Sequence, residues 1–284
     1  MKTNSGGFPI SLFAWFGYEL PLEESLKKIR NAGFDAVLLW WGDPIGGLSR
    51  VAQAELARQS GLEVENAHAP YDRCNALWRP GRAGEQAAAE LISCVEDCAA
   101  AAVKTLVIHL TDGASPPPCS PLGPDRLRPV VKAAERLGIR LAFENLRHPP
   151  HLRQVLDAFN SPAVGLCYDS GHHHGWGRET DWLKEYGSRL FALHLHDNDG
   201  TQDSHAIPFD GGIDWQALAA RIAATGYMGA TALEVEAGAG YEDCMPADAF
   251  LHRAAQARPP ASAGCGRRGK DDQCSIETTS PCRL

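Results

Sequence analysis

The chain has 284 residues, 44% of them hydrophobic and 22% charged, with a formal net charge of -8 at pH 7. That composition describes a soluble globular protein with a sizeable core, and no apolar run approaches the ~20 residues that span a bilayer. The acidic balance argues against nucleic acid as a partner, and nine cysteines without a CxxC pair fit a reducing cytoplasm better than a disulfide framework.

Only Lys2 precedes FPISLFAWFGY, and no small-residue cleavage site follows it, so residues 10–16 (ISLFAWF) read as a first strand and not as a secretion signal. Residues 21–32 (PLEESLKKIRNA) carry apolar side chains at helical spacing, with Pro21 opening the first turn and Gly33 following the last. Further strands are predicted at 36–41, 63–68, 105–110, 140–145, 164–169, 191–196 and 230–236. Helical patterns at 85–103, 125–137, 151–159, 180–189, 214–225 and 248–257 lie between and after them, with Asp214 as an N-cap ahead of Trp215. A βα unit repeated eight times makes a single-domain (β/α)8 TIM barrel over residues 1–258 the economical fold, because each parallel strand needs a crossover helix. An open doubly wound sheet ranks second, since the first βα turn lacks GxGxxG. Residues 259–284 lose both periods and read as a disordered tail, with Cys265, Cys274 and Cys282 as incidental thiols.

In such a barrel the chemistry sits at the C-terminal ends of the strands. Six successive strands end there on His68, His109, Glu144, Asp169, His194 and Glu234, and the loops add His172, Asp203 and His205. Two positions earlier stand Asn66, Val107, Ala142, Cys167, Ala192 and Ala232, mostly small and apolar, as a packed floor beneath a polar mouth requires. Four carboxylates in one cleft would be partly protonated unless cations neutralise them. Mixed imidazole and carboxylate donors suit Zn²⁺, Mn²⁺, Fe²⁺ or Co²⁺ better than Mg²⁺ or Ca²⁺. A single histidine at a strand end is more often a hydrogen-bonded core residue; agreement across six strands carries the metal reading.

The segments HAPY (68–71), VIHL (107–110), FEN (143–145), YDSGH (168–172), HLHDND (194–199), DSH (203–205) and LEVE (233–236) together resemble the xylose isomerase-like TIM barrels. That superfamily includes sugar-phosphate isomerases and epimerases and the endonuclease IV type of AP endonuclease (AP endonuclease family 2), and the resemblance spans residues 8–257. In the epimerase branch it implies Glu144, Asp169, His194 and Glu234 as ligands of one metal, with Glu144 and Glu234 as the catalytic proton carriers. In the endonuclease branch it implies all nine residues as a trinuclear zinc set bridged by Glu144. His196 falls where the pattern has an ordinary residue and reads as an outer support on the substrate side.

Two chemistries follow. An isomerase or epimerase would use one divalent ion, Mn²⁺ or Zn²⁺, to ease enediolate formation on a sugar or sugar phosphate while a glutamate moves the proton. A phosphodiesterase would use up to three zinc ions. Trp15, Trp40, Tyr71, Asn145 and His196 are the expected substrate contacts, with Trp41 either beside them or filling the core. The loop YDRCNALWRPGR (71–82) faces DNA in the second reading and closes over a small substrate in the first. In GHHHGWG (171–177), His172 is a ligand, and His173 and His174 are loop residues shaping the pocket. An inert metal- or sugar-binding barrel ranks last because both glutamates are present. The favoured reading is a cytoplasmic carbohydrate isomerase or epimerase, without a membrane and compatible with a homo-oligomer.

Overall fold

Runs of β-branched and aromatic side chains, each bounded by a turn, give eight strands in the computed structural model, which describes residues 8–42, 45–238 and 245–259. They are β1 (Ile10–Phe13), β2 (Ala36–Trp40), β3 (Glu63–His68), β4 (Thr105–Ile108), β5 (Arg140–Glu144), β6 (Val164–Asp169), β7 (Leu190–His194) and β8 (Thr231–Leu233). All pair in parallel in the ring order β7-β6-β5-β4-β3-β2-β1-β8. The remaining gap is closed just beyond β7: Leu195 N–H donates to Ala232 C=O at 2.9 Å, and Glu234 N–H donates to Leu195 C=O at 3.1 Å. The fold is thus the expected (β/α)8 barrel. Of residues 259–284, expected to form a tail, 260–284 lie outside the described residues.

The helices are α1 (Leu22–Asn31), α2 (Arg50–Gln59), α3 (Arg82–Ala100), α4 (Leu122–Leu137), α5 (Pro149–Ala158), α6 (Ser170–Trp176), α7 (Trp182–Tyr186), α8 (Trp215–Ala224) and α9 (Ala247–Gln256). One of them, α6, corrects the sequence reading. Helix α2 buries Gln53, Ala54 and Ala57, a face too poor in large apolar residues to show a helical period, and is started by Ser49, whose hydroxyl accepts from Ala52 N–H. Helix α6 occupies the stretch read as a loop, because Asp169 at the end of β6 caps it by accepting from His172 N–H at 2.6 Å. As expected, Asp214 caps α8 by accepting from Ala217 N–H. Among the described residues no helix is long and apolar enough to cross a membrane.

Alternation along the strands splits the core in two. Leu12, Val37, Leu39, Leu106, Leu141 and Leu166 face the helices and join the large outer core. Val107, Ala142, Cys167 and Ala192 face inward and pack on one another as a separate plug. Their small side chains leave the next inward residue of each strand to fill the mouth. Those residues are His109, Glu144, Asp169 and His194.

After β7 the chain makes a long excursion before α8, and one carboxylate organises it. Asp197, fully buried, accepts from Asn198 N–H (2.9 Å), Phe209 N–H (3.0 Å), Ile213 N–H (3.2 Å) and the Trp215 indole N–H (2.7 Å). Its backbone also pairs with Ala206 in both directions, at 2.8 and 2.9 Å, so residues 198–205 form a closed loop with fixed ends. Asp197→Ala leaves several donors unmatched at ~1–3 kcal/mol each, so thermal unfolding should show a loss of about 3 kcal/mol or more. Asp199→Ala, which removes an exposed acceptor of the Thr201 amide and hydroxyl, should cost under about 0.5 kcal/mol. Equal losses would show that Asp197 does not organise the loop.

Candidate active site

Above the plug of small side chains, His68, His109, Glu144 and Glu234 line a cavity of about 640 Å³, while Asp169 and His194 are fully buried and off its lining. Three donor sets together hold all nine sequence-predicted ligands, the donor atoms of each set lying within 4.8 Å of one another. The first is His68, His109 and Glu144; the second Glu144, Asp169, His194 and Glu234; the third His172, Asp203 and His205, joined by His196. Glu144 links them. Its Oε2 lies 3.5 Å from His68 Nε2, 3.3 Å from His109 Nε2 and 3.2 Å from His194 Nδ1, and its Oε1 lies 3.1 Å from His172 Nδ1. On the far side of His194 Nδ1, Glu234 Oε2 stands at 3.0 Å.

Backbone carbonyls aim the rings. His68 Nδ1–H donates to Ala69 C=O at 2.9 Å and His205 Nδ1–H to Glu234 C=O at 2.7 Å, so each turns an Nε2 lone pair into the cleft. His205 reaches this position with a left-handed φ of 44°, an unfavourable backbone for a non-glycine residue that the loop's fixed ends hold in place. Its Nε2 lies 3.5 Å from Asp203 Oδ2, and His172 Nε2 lies 3.1 Å from the same oxygen.

The electrostatics are those of mutual compensation. Burial by itself would raise the Glu144 carboxyl, but His109 and His194 hold it well below the usual carboxylate range. Glu234 is likewise opposed by burial and brought to about 2, chiefly by His194. Burial disfavours a charged His205, yet Asp203 and Glu234 raise it to about 10, and His172 and His194 are raised for the same kind of reason. The His109 imidazole goes the other way and is lowered, by burial.

The expected substrate contacts divide. Trp15, Trp40 and Tyr71 line the cavity. Trp40 also stacks on His68 (5.6 Å, 27°) and Tyr71 on His109 (4.7 Å, 25°), so they buttress imidazoles as well. Asn145 does not line the cavity: it is buried, and its amide is used up bracing β5 to β6, donating to Asp169 C=O (2.9 Å) and accepting from Asp169 N–H (2.8 Å). His196 is also fully buried and off the lining. It lies with Nε2 3.1 Å from Asp169 Oδ2, parallel to His205 at 4.0 Å, in a space that a Cβ on Gly171 would fill at 1.9 Å. Trp41 is core, with its indole N–H on Cys94 C=O. His173 and His174 turn away from the pocket on α6 to Tyr168 and Asn198. The cavity lining also holds Thr111, Arg147, His148, Trp176 and Glu236, which the sequence reading did not single out. Their one sequence signal is position, within a few residues of a strand end where βα loops set specificity.

Residues 26–257 match the protein family described as "Xylose isomerase-like TIM barrel". Part of the chain is 34% identical over 85 residues to 2-epi-5-epi-valiolone 7-phosphate 2-epimerase of Actinoplanes sp., covering 30% of this chain and 32% of that protein. Another part is 26% identical over 125 residues to inosose isomerase of Bacillus subtilis, covering 39% and 45%. The chain spans less than half the length of the curated relatives it matches. Its fold is similar to that of D-psicose 3-epimerase from Clostridium cellulolyticum H10, with a TM-score of 0.73 at 15% identity over 88% of this chain and 96% of that one.

The donor set fits divalent metal. Both Glu144 oxygens, both His194 ring nitrogens and Asp203 Oδ1 are buried without a well-aligned hydrogen bond, although all of these but His194 Nε2 have an oppositely charged partner 3.0–3.7 Å away. Close approach without alignment is what side chains aimed at a shared ion show. Because the raised His172, His194 and His205 must give up a proton to ligate, metal affinity should fall as pH drops from about 10, the value of His205. Zn²⁺ added to chelator-treated protein at pH 7 should release protons, seen as a calorimetric heat that varies with the buffer's ionisation enthalpy. It should also raise the melting temperature by roughly 5 °C or more near 100-fold excess over Kd. A buffer-independent heat with no thermal shift would count against an ion at these residues.

Proposed function

Because the chain belongs to the xylose isomerase-like TIM barrel family, we propose that it is a divalent-metal-dependent isomerase or epimerase of a small carbohydrate. The observation that carries this reading is the pair of buried glutamates, Glu144 at 3.2 Å and Glu234 at 3.0 Å, facing one ring nitrogen of His194 at the floor of a cavity large enough for a sugar. They come from β5 and β8, and so flank a bound substrate from two directions. Two relatives, one named an inosose isomerase and one a 2-epi-5-epi-valiolone 7-phosphate 2-epimerase, add support.

Glu144, Asp169, His194 and Glu234 would hold the ion. When bound, it would supply Lewis-acid polarisation of a carbonyl and the neighbouring hydroxyl. The two glutamates do the proton work: held as carboxylates by His109 and His194, either can accept a proton from carbon, and the other returns one. Trp15, Trp40 and Tyr71 offer flat apolar faces to the C–H side of a sugar, and their cover keeps water from the reacting carbon.

A second reading, phosphodiester hydrolysis, is favoured by one observation: the third donor set is as well assembled as the second. The loop at 71–82 speaks against it. Trp78 is buried with its indole N–H on Leu110 C=O, Arg126 ties down the carbonyls of Ala76, Leu77 and Gly81, and Arg73 pairs with Asp72. That leaves a fixed wall instead of a basic, aromatic track for a nucleic-acid strand.

Ketoses, inososes and their phosphate esters incubated with Mn²⁺-loaded protein in D₂O should take up deuterium beside the carbonyl, followed by NMR. Glu144→Gln and Glu234→Gln should each slow exchange by roughly 10²-fold or more. Three zinc ions per chain, with Glu144-dependent cleavage of abasic-site DNA and no exchange into any sugar, would overturn the proposal in favour of hydrolysis.

A further inference from the structure

We propose that the substrate carries an anionic group, a phosphate ester or a carboxylate, seated by Arg147 at the cavity mouth. This rests on the carbohydrate reading above and adds the charge class of the molecule. Arg147 lies three residues beyond Glu144 on the loop between β5 and α5, and its guanidinium carbon sits 4.4 Å over the Trp176 ring. Trp176 in turn lies parallel to His172, at 5.4 Å and 19°. The three side chains form a ladder from the third donor set to the rim, and all of them line the cavity. Stacking holds the planar group at a defined height above the floor without consuming its charge, because its N–H edge stays free to donate in pairs to carboxylate or phosphate oxygens.

Nothing among the described residues takes up that edge. Arg50, Arg153, Arg221 and Arg253 each pair with a carboxylate, whereas Arg147 makes no ion pair or hydrogen bond among the described residues. Among the described residues it is also the one lysine or arginine on the cavity wall, where the other formal charges are the carboxylates and imidazoles of the floor plus Asp112 and Glu236 on the rim. Glu236 follows β8, on a different arc of the ring from Arg147, so the rim presents opposite charges at separate places and gives an anionic end one favoured orientation. Beside Arg147, His148 also lines the cavity, and its buried Nε2 has no hydrogen-bond partner among the described residues. A volume of about 640 Å³ leaves room for a sugar ring over the glutamates and a charged substituent reaching the rim.

The test is calorimetric titration of the Mn²⁺-loaded full chain with fructose, fructose 6-phosphate, fructuronate and inorganic phosphate, repeated on Arg147→Gln and Arg147→Lys. One of the charged sugars should bind roughly tenfold or more tighter than fructose, and Arg147→Gln should erase that advantage while leaving fructose within twofold. Arg147→Lys should keep part of it, since lysine retains the charge but not the paired donors. The ester and the acid are told apart by which of them loses its advantage. The proposal is overturned if neither charged sugar beats fructose, if Arg147→Gln weakens charged and neutral sugars alike, or if inorganic phosphate binding survives Arg147→Gln and disappears only when metal is stripped. An Arg147-dependent preference in a protein that exchanges no carbon-bound proton would instead sink the isomerase reading alone.

Discussion

Everything in the mouth of this barrel is arranged around one buried carboxylate. Glu144 stands within 3.5 Å of four imidazoles from four different elements, and it is the residue common to the first two donor sets. A charge in that position is intolerable alone, since desolvation of a carboxylate costs several kcal/mol, and tolerable only when surrounded by cations or proton donors. The floor of small side chains, the carbonyls that fix ring tautomers and the aromatic rings stacked behind His68 and His109 all serve that compensation. Charge balance and catalysis thus make the same demand on the fold, and the same residues meet it.

What the sequence made legible follows from how locally each signal is written. Strand positions were readable because apolar runs of five or six residues with small inward-facing members are a property of contiguous residues. The ligands were readable because each interrupts such a run at its end with a group that a packed interior would reject. Helix α2 was legible through Gly61, which follows its last turn, although Gln53, Ala54 and Ala57 give its buried face almost no hydrophobic contrast. Helix α6 was hidden by a histidine- and glycine-rich composition. What makes it helical is a cap from Asp169, aided by a bond from the Asn198 amide to Gly171 C=O, which no local pattern encodes.

Pairings between distant loops were likewise invisible. Asn145 looks like a substrate contact beside a catalytic glutamate, yet it is spent holding β5 to β6. Arg147 and Trp176 are nearly thirty residues apart and acquire a meaning only when β5 and β6 bring them face to face. The same holds for His196. It can lie against Asp169 and His205 only because position 171 has no side chain.

The ring is stitched shut at one place by a single residue, Leu195, whose amide and carbonyl reach to either side of Leu233. Every other neighbour pair in the ring shares a ladder two or more residues long. Glu234 hangs from one of those two stitches, with its carboxylate opposite Glu144 across His194. Any swelling of the cylinder therefore opens first along this seam, and it widens the bite between the two acids long before the hydrophobic shell is disturbed. The thinnest join in the architecture doubles as the jaw of its chemistry.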